Sequence, residues 1–195
     1  MRTRRRSTRS EHLPSSTTSW MVAFRFKTSA TAGRSTVSDS ETHIRNALQV
    51  LQQRIGESTP PTDWFEITQE RVNDYAEVSM DHQWIHVDVE RAEQGPFGAP
   101  IAHGNLTIAV MGHLPRTTSV PGPQLEGHKL SINYGFDKIR FPSPVKVGAR
   151  IRATSTLRRA EIKGGMIETM NEIKVEIQGQ DKPALVAESL GRLVF

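Results

Sequence analysis

The chain has 195 residues and a formal net charge of +4, a length that suits one domain with a sizeable core. It has no cysteine, which excludes disulfides, thiolate zinc sites and a cysteine nucleophile and is expected in the reducing cytoplasm. The excess charge lies in residues 1–40, which hold eight basic and two acidic residues, whereas residues 41–195 hold seventeen and nineteen. A nucleic-acid partner is therefore not predicted, and because no run of eighteen residues is apolar, neither is a membrane partner.

Residues 1–40 are predicted to form a disordered basic tail. Their opening, MRTRRRSTRSEHLPSSTTSW, is rich in Arg, Ser and Thr and has a single acid and no apolar run. The same composition is typical of a transit segment, and a natural start at Met21 or later would make the segment an artefact. We expect disorder and leave these residues out of the fold.

Residues 41–59 are predicted to form a helix and a linker. Apolar residues recur at helical spacing, after a cap at Ser38 or Ser40 and before a stop at Gly56. The prolines and polar residues of ESTPPTD then indicate a linker. The apolar positions of the helix are Ile44, Ala47, Leu48, Leu51 and Ile55.

The domain proper is predicted to span residues 60–195 and to begin with a short strand, WFEIT. Thr68 then opens a second helix, QERVNDYAEVSM. Its apolar side is expected to contain Val72, Tyr75, Ala76 and Met80.

A third helix, in NLTIAVMGHLPRTT, is apolar on nearly every face, which predicts that it is buried. From Gly127 the pattern changes to that of strands: HKLSINYGFDKIRF, VGARIRATSTLRRAEIKG, GMIETMNEIKVEIQG and ALVAESLGRLVF. Gly164–Gly165 and residues 179–181 suit hairpin connections. The class is α+β, with a curved antiparallel sheet wrapped around one apolar helix. Without βαβ alternation or a glycine-rich phosphate loop, a nucleotide-binding fold is not predicted.

The stretch DHQWIHVD, residues 81–88, contains the first candidate site. Asp81 and His86 are five residues apart in a turn after a helix, which allows a carboxylate and an imidazole to converge on one water molecule. The apolar Trp84 and Ile85 between them would exclude solvent and hold the pair near working pH.

The stretch IAHGN, residues 101–105, contains the second. Gly104 stands just before the apolar helix, where free N–H groups and the positive end of the helix dipole favour a substrate oxygen. The alternative is that Gly104 is only a cap and His103 a satisfied polar residue.

A zinc site was also considered, since His82 and His86 are four residues apart and Asp81 and His103 could add ligands. The side chains of His82 and His86 lie on the same helix face only if the helix continues past Met80, where it is expected to end. No metal site is predicted.

Together these motifs resemble a known family. D-x4-H-x-D, followed by GPFGAPIAHG and an apolar helix, resembles the MaoC-like dehydratases, which include the (R)-specific enoyl-CoA hydratases of hotdog fold. INYGFDKIRFPSPVKVG and the closing AES are similar to the bacterial branch of 3-hydroxyacyl-thioester dehydratases and NodN-like proteins. The resemblance covers residues 60–195.

The resemblance implies a hotdog homodimer with an acyl-thioester tunnel near its interface and no cofactor besides the CoA or acyl carrier protein thioester. Asp81 and His86 would be the catalytic pair, and the Gly104 amide would donate to the thioester carbonyl. Substrate contacts are expected from Gln83, where the family often has Asn, from Trp84 and from His103. Asp88 would fix the turn.

The predicted reaction is hydration of a trans-2-enoyl thioester to an (R)-3-hydroxyacyl thioester, and its reverse. Asp81 and His86 would hold the attacking water, while Gly104 stabilises the developing oxyanion. Two alternatives stay open, a hotdog thioesterase and a non-catalytic acyl-binding protein, since fold does not determine function.

Overall fold

The computed structural model describes residues 35–117 and 122–195, with side chains from residue 39 onward. Most of the predicted basic tail, residues 1–34, lies outside the described residues. Residues 35–40, which the sequence analysis placed in the tail, have helical backbone.

In the part of the chain that the structure describes, five helices precede the main strands. A long first helix is followed by a helix of eleven residues, two short helices and a final helix of eight residues. They are α1 (Ser35–Gln53), α2 (Gln69–Ser79), α3 (Trp84–Val87), α4 (Val89–Glu93) and α5 (Gly104–Met111).

The strands form one antiparallel sheet in the order β1-β3-β4-β5-β2. The short strand predicted in WFEIT and the four long strands predicted after Gly127 are confirmed. Their bounds are β1 (Phe65–Glu66), β2 (Leu130–Arg140), β3 (Arg150–Lys163), β4 (Met166–Ile177) and β5 (Leu185–Val194).

The predicted turn between β3 and β4 is confirmed at Gly164–Gly165. Both glycines have positive φ, 58° and 75°, as a two-residue hairpin turn of matching twist requires. This turn pairs Lys163 with Met166 and sets the register of the central hairpin.

The inner face of the sheet packs against α5 at one end. Leu106 and Met111 of α5 share a core with Val175 and Leu185. Ala109 is exposed, however, and Ile108 is half-buried. The prediction of a helix buried on nearly every face is therefore wrong for the single chain: β1 has only two residues, so the sheet cannot close over the far side of the helix.

Helix α1 packs at the other end of the inner face. Ile44, Ala47 and Leu51 are buried in a second core with Ile167 and Phe195, which confirms the predicted apolar face. The exception is Ile55. The helix ends at Gln53 and leaves Ile55 46% exposed.

The predicted linker is hydrogen-bonded along β3. Gly56 donates to the Leu157 carbonyl, Thr59 to that of Ser155 and Thr62 to that of Ala153, over 2.8–2.9 Å. These bonds cover the edge of β3 beyond the two residues of β1 and connect α1 to the sheet.

The outer face of the sheet carries ion pairs, three of which share the buried carboxylate of Glu168. Glu168 accepts hydrogen bonds from Lys163 (2.7 Å) and Arg192 (3.0 Å). Burial alone would raise the pKa of Glu168, but the two cations outweigh it and hold the pKa below its usual range. Among the helices described, none combines the length and apolar character needed to cross a bilayer.

Candidate active site

Helix α2 delivers the first residue of the site. The Thr68 side chain accepts from the Arg71 N–H (3.3 Å) and caps the helix, as predicted, while Val72 and Ala76 are fully buried. Met80 ends the helix in the left-handed conformation, φ 60°. Its side chain is 83% exposed, so its predicted place on the buried side is wrong: the left-handed cap turns the chain off the helical path just before Asp81.

His86 is held by backbone groups of two neighbouring segments. Its side chain is buried, and Nδ1 lies 2.6 Å from the carbonyl of Ile101. Because a carbonyl only accepts, Nδ1 carries the proton and the neutral ring keeps its Nε2 lone pair. Gln69, in the first turn of α2, donates to the carbonyl of His86 (2.8 Å).

His103 joins the two halves of the site. Its ring is buried and stacks on that of His86, with centroids 3.8 Å apart and planes 25° from parallel. His103 Nε2 donates to the backbone carbonyl of Asp81 (2.9 Å). Within the described part of the chain, its buried Nδ1 has no hydrogen-bond partner. His103 thus contacts both Asp81 and His86.

The structure brings the side chains of Asp81 and His86 together. A carboxylate oxygen of Asp81 and one ring nitrogen each of His86 and His103 lie within 4.8 Å of one another. Two groups that hold the same water by bonds of ~2.8 Å at a tetrahedral angle are about 4.6 Å apart. This upper limit of 4.8 Å is compatible with one water molecule shared by Asp81 and His86.

The same three residues are a poor fit to a metal ion. Nitrogen lone pairs lie in the ring plane, so two stacked rings direct them side by side and do not converge on one ion. One nitrogen of each ring is also hydrogen-bonded to a carbonyl. His82, the other candidate ligand, is exposed and pairs with Glu77 (2.8 Å).

Gly104 is the first residue of α5. Its N–H is one of those at a helix start that have no acceptor within the helix. It directly follows His103, so it stands beside the stacked histidines. Its role as donor to a thioester oxygen stays a prediction.

The remaining candidate residues lie around this centre with different contacts. Gln83 is exposed and contacts Asp81 through its backbone N–H, 3.4 Å from Oδ1. The Trp84 ring lies under Arg91, 4.4 Å from the guanidinium carbon, and packs against Gly95. Substrate contacts from both stay predictions. Asp88 accepts from the Arg91 N–H (3.1 Å) and caps α4, which agrees with the predicted role in the turn.

Sequence analysis missed three residues that the fold brings to the site. They are Gln69, which holds the His86 backbone, Tyr75, whose ring lies 5.0 Å from that of His103, and Phe141, whose ring lies against Gly104. Tyr75 was predicted only to lie on the apolar side of α2. No local signal identifies Gln69, because its partner is seventeen residues away.

The electrostatics favour a neutral His86. Burial lowers its pKa below the ordinary value of 6.5, the hydrogen bond to Ile101 opposes this, nearby His103 lowers it further and Asp81 raises it. At neutral pH the ring therefore offers an unprotonated Nε2 as a base.

Comparisons with known proteins agree with this geometry. The family model "MaoC like domain" matches residues 50–179. The chain is 49% identical to 3-hydroxyacyl-thioester dehydratase Z of Mycobacterium tuberculosis over 140 residues, 71% of this chain and 90% of that protein. It is 36% identical to Nodulation protein N of Rhizobium leguminosarum bv. viciae over 151 residues, 76% and 92% of the two chains.

Among solved structures, the (R)-hydratase from A. caviae superposes with a TM-score of 0.52 at 23% identity, covering 70% of this chain and 94% of that one. This likeness supports the hotdog fold predicted from sequence. Since the family model matches well over half of the chain and the relatives are matched over most of their length, the chain belongs to the MaoC-like dehydratase family.

Proposed function

We propose that this protein reversibly hydrates trans-2-enoyl thioesters to (R)-3-hydroxyacyl thioesters. The observation that supports this most is that Asp81 and His86 lie within 4.8 Å of one another, close enough to share one water molecule, next to the start of α5. The relative named a 3-hydroxyacyl-thioester dehydratase supports the same chemistry.

Each group then has a role in hydration. His86 Nε2 and the Asp81 carboxylate hold the water, and one of them takes a proton as the water oxygen bonds to C3. The electron pair of the C2–C3 double bond moves toward the thioester carbonyl. The developing negative charge is stabilised by the Gly104 N–H, and a proton added at C2 completes the product. Dehydration follows the same steps in reverse.

The experiment that tests the function uses crotonyl-CoA, with absorbance of the enoyl group and release of free thiol followed together. Loss of the enoyl absorbance without free thiol supports a hydratase. Release of free thiol would instead indicate a thioesterase, and neither signal, over a series of enoyl-CoA chain lengths, would favour an acyl-binding protein. A parallel assay with EDTA tests the expectation that no metal is needed, since activity should then be unchanged.

A pH profile tests the state of His86. If neutral His86 takes the proton, kcat/KM falls as pH drops through a midpoint below 6.5, because its pKa is lowered in the folded protein. Replacing His103 by Gln removes a neighbour that lowers this pKa while keeping a donor for the Asp81 carbonyl, so the midpoint should move upward. The measurement is kcat/KM for crotonyl-CoA between pH 5 and 8, and an unchanged or lower midpoint in His103→Gln would contradict this role.

The same depressed pKa links folding to pH. The unfolded chain binds a proton at His86 more readily than the folded one, so this contribution to stability is present above about pH 6.5 and is lost as pH falls through the folded pKa. Circular dichroism at each pH of the activity profile should therefore distinguish loss of activity from loss of folding.

We also infer that the protein acts as a homodimer. Strand β2 is an eleven-residue edge strand, paired among the described residues only with β5, and it exposes Leu130, Ile132 and Tyr134. Long apolar edges in native proteins are generally covered. A second copy that pairs with this edge would cover it.

The dimer prediction is tested by Ile132→Lys. A charge on the edge strand should shift the protein from dimer to monomer in light scattering after size exclusion. Val78→Lys, also at an exposed apolar position but on α2, is the matched control. A monomeric wild-type protein, or a dimer unaffected by Ile132→Lys, would contradict the proposal.

The setting proposed for this activity is the cytoplasm, in fatty acid metabolism, with a CoA or acyl carrier protein thioester as substrate. No further cofactor is required by the proposed chemistry, because the two proton-transfer groups and the amide donor all belong to the chain.

A further inference from the structure

The ring of Phe141 lies against the glycine that begins α5. A Cβ built on Gly104 would lie 2.9 Å from Cζ of Phe141 and 3.1 and 3.2 Å from its two Cε atoms. Real Cβ atoms essentially never approach another atom closer than 3.0 Å. The tip of the ring therefore occupies the space that a side chain at position 104 would need.

The segment that carries this ring is fixed to the segment that leads into α5. Ala102 donates to the carbonyl of Val145 (2.7 Å), and Val147 donates to that of Pro100 (2.9 Å). Ile101, whose carbonyl accepts from His86, forms an antiparallel bridge in the same pairing. The segment that carries Phe141 is thus hydrogen-bonded to the segment whose Ile101 carbonyl orients His86.

The ring is not a core residue. Phe141 is 48% exposed, although a fully apolar ring of this size usually contributes to a core. One edge covers Gly104, and a large part of the ring remains open to solvent beside the candidate site. An apolar surface held rigidly next to a helix-start amide is suited to contact a ligand.

We propose that Phe141 is a positioning and specificity residue of the enoyl-thioester site. Its ring shields the Gly104 amide from water on one side, which strengthens a hydrogen bond to a developing oxyanion. Its open part packs against the flat, conjugated enoyl-thioester group and holds it toward Asp81 and His86. This inference rests on the proposed function and goes beyond it by naming the surface that selects the planar enoyl group.

The proposal separates two reasons for a glycine at position 104. One is steric, because the Phe141 ring fills the space of a Cβ. The other is access of the substrate oxygen to the amide. If the ring positions the amide, replacing Gly104 and replacing Phe141 must have coupled effects, since residues in contact do not contribute independently.

The test measures kcat/KM for crotonyl-CoA and the Kd of butyryl-CoA, a saturated analogue that cannot be hydrated, by calorimetry. The variants are Phe141→Leu, Phe141→Ala, Gly104→Ala and the double variant Gly104→Ala/Phe141→Ala. Ile162→Ala, which removes an equally exposed apolar side chain on β3, is the matched control. Circular dichroism melting identifies variants that do not fold, and Phe141→Leu replaces Phe141→Ala if the latter is one of them.

We expect Phe141→Ala to lower kcat/KM about tenfold or more with a smaller effect on butyryl-CoA binding, and Phe141→Leu to lower it less, since aromatic packing adds to apolar burial. Gly104→Ala keeps the backbone N–H, but its Cβ would displace the Phe141 ring or shift the amide, so kcat/KM should fall by up to about a hundredfold, as for a misplaced oxyanion donor. The double variant should be more active than the product of the two losses. Phe141→Ala within twofold of wild type, or losses that simply multiply, would overturn the proposal. An inactive wild type would instead refute the proposed function, and equal Kd values of wild type and Phe141→Ala for crotonyl-CoA, which an inactive protein leaves intact, would then also refute the role of Phe141.

Discussion

Asp81→Asn is expected to lower kcat/KM for enoyl-CoA hydration by about 100- to 10,000-fold, the range usual for loss of a proton-transfer group. The carboxylate lies within 4.8 Å of a ring nitrogen of His86, and an amide of the same size retains the shape of the side chain but not its ability to accept a proton or to carry charge. Asp81 is exposed, so the variant should fold normally. The measurement is steady-state hydration of crotonyl-CoA.

Asp88→Asn is a matched control for this prediction. It makes the same chemical change seven residues later, at an exposed carboxylate that caps α4 through the Arg91 N–H. Since Asn caps helices about as well as Asp, Asp88→Asn should retain near wild-type activity. Equal activity of Asp81→Asn and wild type would remove Asp81 from the mechanism, and equal losses in both variants would indicate a general effect on the turn.

Ile67→Ala is expected to lower the free energy of unfolding by about 2–5 kcal/mol, as for other large-to-small changes in a packed core. Ile67 is fully buried between β1 and α2. Its backbone exchanges hydrogen bonds with Ala149 (2.9 Å) and Gly148 (2.8 Å). The substitution would leave a cavity in the core that Ile67 shares with Val72 of α2, the helix that precedes Asp81.

Urea unfolding measures the size of this effect, and Ile162→Ala provides the comparison. Ile162 is 45% exposed, so its truncation should cost less than about 1 kcal/mol, as expected at the surface. Similar destabilisation by the two variants would show that the core around α2 does not depend on Ile67.

The two stacked histidines of the site form different hydrogen bonds and have different roles. His86 donates from Nδ1 to a carbonyl and so keeps Nε2 free, while His103 donates from Nε2 to the carbonyl of Asp81. The first bond fixes the tautomer of His86, and the second fixes the backbone of Asp81. Because only one nitrogen of each ring donates to a carbonyl, a neutral tautomer supplies each bond, which is favourable for two rings whose centroids are 3.8 Å apart.

Sequence alone determined the elements and the identity of the central pair. The four long strands follow from two-residue periodicity and from the Gly164–Gly165 turn, which are local properties of the chain. Asp81 and His86 were candidates because they are five residues apart, and their catalytic roles were implied by the resemblance to the MaoC-like dehydratases. Local spacing restricts how far apart two such side chains can lie.

Tertiary structure decided the features that depend on segments distant in the chain. His103 lies twenty-two residues after Asp81 and bonds its carbonyl, and Phe141 covers Gly104 from another loop. The apolar α5 predicted a helix covered on all sides, yet Ala109 is exposed. The hydrophobic pattern of a helix predicts that a face is covered but not which surface covers it, because the hydrophobic effect is non-directional. The surface that covers each face is decided only when strands and loops pack together.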